Sequence, residues 1–214
     1  MKRIIFMLAI AVFCLQVAGF SQNTRVGITA GASIARMTGK VDGDSKAGFM
    51  TGIVLETPIG KKFGFRPTLS YVQKGQTQPP PMGTLVDKVY MSLRYAEFNA
   101  DFLYFLSGGK GGLFLGAGPS IAFNLPSKKV SITDGEKTNK TIKFGKTVTD
   151  DMRGTDFGAN FTAGWRSASG FIVTLNYNKG LRNLVVEGDP GKLKNEYIGI
   201  QLGYFLNNGG AKTK

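Results

Sequence analysis

Eight stretches of the chain alternate between a face of large apolar side chains and a face of small or polar side chains. The segment FGANFTAGWR shows the pattern, with rings at Phe157, Phe161 and Trp165 and small or uncharged residues between them. A period of two residues is typical of a β-strand whose two faces meet different surroundings. The eight stretches are residues 25–37, 47–57, 63–74, 88–106, 112–125, 157–166, 171–177 and 195–206. We therefore expect an all-β protein.

The distribution of bulk between the two faces favours a barrel in a membrane over a barrel in water. In the last stretch Ile198, Ile200 and Leu202 alternate with Gly199 and Gln201. A soluble barrel turns its bulky apolar face inward, around a core or a ligand. A membrane barrel turns that face outward, toward lipid. Because the other face is rich in glycine, we expect it to line a narrow, crowded lumen.

The segments that join the stretches alternate between short and long. Short links are predicted at 58–62, 107–111 and 167–170, and long links at 38–46, 75–87, 126–151 and 179–194. Tight turns on one side of a barrel and longer loops on the other are typical of bacterial outer-membrane barrels. The predicted fold is an eight-stranded antiparallel up-and-down transmembrane β-barrel with short periplasmic turns and longer external loops. Aromatic side chains near the strand ends would form the interfacial girdles, namely Tyr71, Tyr104, Phe123, Trp165, Phe171, Tyr177 and Tyr204.

The N-terminal segment has the three parts of a secretory signal peptide. Lys2 and Arg3 precede an apolar run, and small residues follow it, with Gly19 and Ser21 at the positions that a signal peptidase recognises. We expect cleavage before Gln22. The predicted domains are therefore a signal peptide at 1–21, an outer-membrane β-barrel at 22–207 and a polar tail at 208–214. The mature protein would contain no cysteine, since Cys14 lies in the signal peptide.

The charge of the chain is strongly basic, and removal of Lys2 and Arg3 lowers the formal net charge only from +13 to +11. The lysines are spread through the links and do not cluster with stacking aromatic residues, so nucleic acid is not a predicted partner. Their long-range field favours the phosphates of outer-membrane lipid and lipopolysaccharide as partners. The external loops could also bind a protein partner.

Catalytic chemistry has little support in the sequence. The chain has no histidine, the one side chain whose unperturbed pKa suits proton shuttling near neutral pH. Without histidine or a mature cysteine, a transition-metal site is improbable. Glu97 and Asp101 lie four residues apart on one strand, about 13 Å, which exceeds the spacing of glycosidase carboxylates. We expect no enzyme activity, no catalytic residues, no metal and no cofactor.

Five charged residues fall on the glycine-rich rows that we place inside the barrel: Glu56, Arg66, Glu97, Asp101 and Arg166. An unpaired charge in a narrow lumen is costly, so opposite charges on neighbouring strands should pair there. We expect a structural charge cluster that plugs the lumen, low down and with Glu97 above the rest. A path for protons or solutes is the alternative. Outside the membrane, the alternation around Asp134-Gly135 suggests that strands five and six extend as a ribbon.

Several segments together resemble the PorT-type outer-membrane β-barrel family. They are AGFMTGIVLETPI, LSYVQKG, YAEFNADFLYFL, LFLGAGPSIAF and EYIGIQLGYFL, and they extend over nearly the whole mature chain. The most specific pieces are residues 71–75, Glu97 and residues 116–119. The resemblance implies an eight-stranded barrel in the outer membrane of a Gram-negative bacterium, in a family whose named member is tied to type IX secretion. The long link at 126–151 and the tail beyond the last strand depart from the family pattern.

Two classes of function follow from these observations. The first is a non-enzymatic outer-membrane barrel that acts as a structural, scaffold or partner-binding protein, with a link to secretion or envelope assembly. The second is a transporter of ions or small solutes with a narrow pore. A soluble ligand carrier is a third interpretation, which recovery of the protein without detergent would favour.

Overall fold

The structure, a computed structural model, describes residues 24–39, 43–80, 82–107 and 111–207. Among these residues no helix is long and apolar enough to cross a membrane. These described residues form nine strands: β1 (Arg25–Gly39), β2 (Asp44–Ile59), β3 (Phe63–Gln78), β4 (Val86–Phe105), β5 (Gly112–Thr133), β6 (Glu136–Thr141), β7 (Thr155–Arg166), β8 (Phe171–Gly180) and β9 (Leu193–Phe205).

Eight of the nine strands close into a ring. Each pairs antiparallel with its neighbours in the order β4-β3-β2-β1-β9-β8-β7-β5, and β4 also pairs with β5. Closure leaves no unpaired sheet edge within the ring, which a bilayer requires because it offers no water to exposed backbone groups. The predicted eight-stranded antiparallel barrel is confirmed. β6 stands outside the ring and pairs only with the far part of β5.

The two rows of each strand face as the alternation predicted. On β9 Ile198, Ile200 and Leu202 are each more than half exposed on the outer wall, whereas Gln201 is buried inside. The predicted girdle residues also lie on outward rows, where Phe161 stacks on Tyr177 across β7 and β8. Such a continuous apolar outer wall suits hydrocarbon and not water. Pro119 points outward as well, and the β4–β5 pairing is interrupted beside it, between Asn99↔Ser120 and Phe102↔Ala117.

The fifth strand is longer than the sequence predicted. The prediction ended it at Leu125 and began the long link at Pro126. Instead β5 continues to Thr133 across a bulge, at which Leu125 and Lys128 pair with Arg94 and Ser92 of β4. The backbone N–H of Arg94 donates to Oγ of Ser127 at 2.9 Å, which replaces a ladder bond that the bulge removes.

The predicted ribbon is present in part. β5 and β6 form a hairpin whose turn, Asp134-Gly135, has positive φ at both residues, the geometry of a two-residue hairpin turn. The return strand ends at Thr141 and is separate from β7, so β6 does not extend the sixth barrel strand as predicted. The intervening residues 142–154 fold over the barrel mouth.

The predicted alternation of link lengths holds only in part. The first long link was predicted at 38–46, but β1 continues to Gly39 and β2 begins at Asp44. The asymmetry between the barrel ends therefore comes from three other connections, at 79–85, 134–154 and 181–192. We call the end that carries them external, as in outer-membrane barrels generally. The predicted signal peptide, its cleavage before Gln22 and the tail at 208–214 lie outside the described residues.

The outer wall gives a first prediction. We expect Ile200→Lys, in the middle of β9, to lower the free energy of unfolding by about 2 to 4 kcal/mol, because it places a charge at mid-bilayer depth. The measurement is a denaturant refolding titration in lipid vesicles. Leu206→Lys is the matched control: this side chain is 66% exposed just after β9, and near the interface the same change should cost about 0 to 1 kcal/mol. Equal losses would contradict the assignment of depth.

Candidate functional site

The lower charge cluster, near the short-turn end of the barrel, is built on Glu56. This carboxylate is fully buried and forms ion pairs with Arg25 at 3.2 Å, with Arg66 and with Arg166. Arg66 donates through both Nε, at 3.1 Å, and Nη2. Arg25 reaches Glu56 from the paired position on β1, and Arg66 from the next strand on the other side. One carboxylate thus joins three guanidinium groups from three strands.

Aromatic side chains close the space beneath this cluster. The guanidinium of Arg66 lies 4.1 Å from the ring centre of Phe114, and that of Arg166 lies 4.8 Å from that of Phe105. Both rings belong to a buried group with Val54, Leu103, Ile172 and Phe205. A Cβ on Gly164 would lie 2.2 Å from the backbone carbonyl oxygen of Val173 and 2.5 Å from Cζ of Phe114, so this inward position admits only glycine. The small residues of the inward rows therefore make room for rings and guanidinium groups from other strands.

Asp101 lies directly opposite Arg66 in the β3–β4 pairing. Its two carboxylate oxygens accept hydrogen bonds from Nδ2 of Asn160, at 3.1 and 2.9 Å, across β5. Asp101 and Asn160 are both buried. Asp101 therefore places a second negative charge beside the guanidinium of Arg66.

The upper charge cluster is centred on Glu97 and Lys74. Nζ of Lys74 lies 2.7 Å from one oxygen of Glu97 and 4.0 Å from Asp156. The hydroxyl of Tyr197 donates to the other oxygen of Glu97 at 2.5 Å, from the opposite wall. The ammonium also lies 5.0 and 5.1 Å from the ring centres of Tyr197 and Tyr95, close enough for cation–π attraction.

Between the two clusters the barrel interior is almost filled. A cavity of about 20 Å³ lies beside Arg66 and Asp101, lined mainly by small polar side chains such as Ser70, Thr162 and Gln201. Since one water needs about 10 to 15 Å³, this space has room for about one water.

Above the upper cluster an apolar lid covers the external mouth. Ile142, Met152 and Leu184 come from the loops at 142–154 and 181–192, and they are at most 6% exposed. They pack on inward side chains of the barrel wall: Met37, Leu93, Tyr95 and Ala122. Tyr95 contacts both the lid and the ammonium of Lys74. The lid therefore lies directly over the upper cluster.

Backbone hydrogen bonds hold the two lid loops to the barrel and to each other. The N–H of Ile142 donates to the carbonyl of Ser127 at 3.0 Å, and that of Leu184 donates to Leu193 at 2.8 Å. Arg153 donates its N–H to Leu184 and its Nε–H to Val185, each at 2.8 Å. The loops are thus folded elements.

At the rim of the lid, a side-chain hydrogen bond fixes the turn between residues 147 and 150. The hydroxyl and the backbone N–H of Thr147 donate to Asp150, at 2.7 and 3.0 Å. These bonds lower the pKa of the Asp150 carboxyl.

All five charged residues singled out in the sequence lie inside the barrel, but in two groups. Glu56, Arg66 and Arg166 meet in the lower cluster with Asp101 beside them, whereas Glu97 belongs to the upper one. Sequence reasoning missed three further interior charges: Arg25, Lys74 and Asp156. Each continues an inward row at the end of a predicted strand, so extension of the alternation would have found them.

Among the described residues, the two charge clusters contain four acids, Glu56, Glu97, Asp101 and Asp156, and four bases, Arg25, Arg66, Lys74 and Arg166. In the described parts of the chain no group of three histidine, cysteine, aspartate or glutamate residues could hold a metal ion.

An apolar outer wall, a closed antiparallel ring and external loops define an outer-membrane β-barrel. The comparison with protein families agrees: residues 20–186 match the family described as "Outer membrane protein beta-barrel domain". Because the match covers more than half of the chain, the protein belongs to this family, and its location is the outer membrane. This generic family match does not specifically support the PorT-type group.

Several solved structures are similar to this chain. OprG from Pseudomonas aeruginosa is 10% identical, with a TM-score of 0.49, and the match covers 88% of this chain and 99% of that one. Neisserial surface protein A is 10% identical, with a TM-score of 0.47, and the match covers 84% of this chain and 96% of that one. Ail, the attachment invasion locus protein of Yersinia pestis, is 12% identical, with a TM-score of 0.44, and the match covers 86% of this chain and 99% of that one. No curated protein sequence matches the chain.

The lower cluster gives the second prediction. We expect Glu56→Gln to lower the free energy of unfolding by about 3 to 5 kcal/mol, because it leaves buried guanidinium groups without their shared carboxylate. Arg25→Met is the matched control, since the Arg25 side chain is 20% exposed and a partly solvated pair contributes about 0 to 1 kcal/mol. Denaturant titration in lipid would measure both. If Arg25→Met were as harmful as Glu56→Gln, Glu56 would not be the centre of the cluster.

The upper cluster gives the third prediction. Lys74→Met should lower the free energy of unfolding by about 3 to 5 kcal/mol, because it leaves the buried Glu97 carboxylate without its cation. The double variant Lys74→Met/Glu97→Leu should be more stable than Lys74→Met alone, since removing both charges also removes the desolvation penalty. A double-mutant cycle in lipid measures the coupling. Additive losses would show that the two side chains do not depend on each other.

Proposed function

We propose that the protein is a non-enzymatic outer-membrane barrel with a structural, scaffold or partner-binding role, whose external face is the binding surface. The observation that carries this proposal is the filling of the lumen at four levels. The aromatic group around Phe105 and Phe114 lies lowest, the two charge clusters lie above it, and the lid of Ile142, Met152 and Leu184 lies at the top. In a barrel filled in this way, the folded loops and the outer wall are the surfaces that can bind a partner.

Lipid and lipopolysaccharide are the partners that the outer wall favours. The apolar belt meets the acyl chains, and cationic side chains lie on the outward rows toward the external end. Arg36 is exposed there and pairs with Glu196, which lies opposite Lys179 on the next strand. Cations at this level would contact the phosphates of lipopolysaccharide. A protein partner would meet the ribbon of β5 and β6, in which all six residues of β6 are exposed.

A link to secretion or envelope assembly is part of the proposal. Its support is the resemblance of residues 71–75, Glu97 and residues 116–119 to the PorT-type group. The transporter hypothesis has no comparable support, since the interior cavity at the level of Arg66 holds only one water.

The fourth prediction tests whether the lumen conducts. Purified protein in planar bilayers should show no steady ion channels, because the buried side chains of the two charge clusters occupy the lumen. Steady channels whose ion selectivity changes in Glu56→Gln or Glu97→Gln would support the transporter instead. The same preparation must first be shown to be folded, by its resistance to denaturation in detergent gel electrophoresis. Only then does a lack of current indicate a closed lumen.

The fifth prediction tests the ribbon as a partner-binding surface. Lys128 and Thr141 lie opposite each other at its base, so residues 129–140 can be replaced by an Asn-Gly turn, a change that also removes the β5 partners of residues 86–91 of β4. Proteins captured from native outer membranes by the full-length chain should be lost with this trimmed chain. A full-length chain with Lys128, Lys129, Lys137 and Lys140 changed to Gln keeps the ribbon but removes its positive charge. Loss of capture by this variant would show that the partner recognises the charge of the ribbon. Unchanged capture by the trimmed chain would contradict a role for the ribbon.

A further inference from the structure

A pocket of about 310 Å³ opens on the external face, between the ribbon and the lid loops. Its floor is apolar and includes Met91, Ile142 and Val185, and its wall on the ribbon side carries Lys129 and Lys140. The volume equals that of about ten waters at roughly 30 Å³ each. A pocket of this size with an apolar floor and a few charged groups at one side is typical of a small-molecule site.

The two lysines form an unfavourable pair. Lys129 of β5 and Lys140 of β6 lie directly opposite each other, so their side chains leave the same face of the ribbon. Like charges at directly opposed positions destabilise a β-ladder. Among the described residues neither lysine makes an ion pair or a side-chain hydrogen bond, and both are exposed. An anion bound between the two ammonium groups would remove this repulsion.

The two acidic residues of the pocket are engaged with the loop backbone. Oδ2 of Asp151 accepts the N–H of Lys143 at 2.8 Å, and Oδ1 of Asp189 accepts the N–H of Gly191 at 2.9 Å. These bonds shape the loop side of the pocket. An anionic ligand group would therefore lie on the opposite side, at the lysine pair.

We propose that this pocket binds a small amphiphilic anion, with a short alkyl chain on the apolar floor and a carboxylate or phosphate between Lys129 and Lys140. The carboxylate would come from a fatty acid and the phosphate from a lipid. The site goes beyond the function proposed above, because it is in the loops and is independent of whether the lumen conducts. Ile142 belongs to both the pocket floor and the lid, so a bound ligand would contact the lid directly.

The test uses the protein in lipid nanodiscs and follows the methyl signals of Met91 and Ile142 by NMR. The probes share a six-carbon chain and differ in the head group: hexanoate, hexyl phosphate, hexanol and hexylamine. Saturable shifts are expected with hexanoate or hexyl phosphate, and hexanol and hexylamine should bind at least about tenfold more weakly. The stronger of the two anions identifies the source of the head group. Empty nanodiscs correct for partitioning into lipid.

Matched lysine variants make the test specific. Lys129→Gln/Lys140→Gln should weaken binding of the anion by about tenfold or more. Lys128→Gln/Lys137→Gln removes the same charge from the same ribbon outside the pocket and should leave the affinity unchanged. Val186→Asn, at the apolar side of the pocket, should weaken hexanoate and hexanol alike.

The repulsion between the two lysines can be measured without a ligand, by hydrogen exchange. Lys140→Gln should slow amide exchange in β6, because it relieves the repulsion from Lys129. The proposal is overturned if all head groups bind equally, if the control pair weakens binding as much as Lys129→Gln/Lys140→Gln, or if folded wild-type protein shows no saturable shift.

Discussion

The constraint on which this structure depends is the lack of water in the hydrocarbon layer. Every backbone group of a spanning strand must find a partner in another strand, so the sheet has to close. With eight strands in the ring, the space inside admits little more than side chains. Inward rows must then combine small residues with a few large ones, as Gly164 does beside Phe114. The glycine content and the narrow lumen are consequences of the same closure.

A narrow, filled lumen makes each buried charge depend on its partners. Glu56 sits among three guanidinium groups, whereas Glu97 receives an ammonium and a phenol hydroxyl. Each cluster joins strands that are not neighbours in the ring, because Arg166 and Tyr197 reach across from the far wall. The ion pairs therefore act as crosslinks through the lumen in addition to the backbone ladder. A protein built for rapid permeation would have fewer such crosslinks, since each one occupies the path of a solute.

Sequence periodicity predicted what depends on two-residue alternation, and it failed where alternation is broken. The outward position of Ile200 and the inward position of Glu56 follow from parity alone. Lys74 is the last residue of the predicted stretch 63–74, and Asp156 lies one residue before the stretch 157–166, so neither was assigned to an inward row. The fifth stretch was ended at Leu125, yet a hydroxyl of Ser127 accepts the N–H that the bulge leaves free. The lid could not be predicted, because Ile142, Met152 and Leu184 are brought together by loop folding and not by strand register.

The lid also explains why the external face can carry specific chemistry. In the described loops backbone bonds join residues 142–154 to 181–192 and to β5, so the side chains above them are held at fixed positions. Pre-arranged groups lose little conformational entropy on binding, which improves affinity without new contacts. The ribbon and the lid loops then meet at a pocket whose apolar floor is continuous with the lid. The same apolar side chains that cover the mouth of the barrel thereby form a surface on which a ligand can be bound.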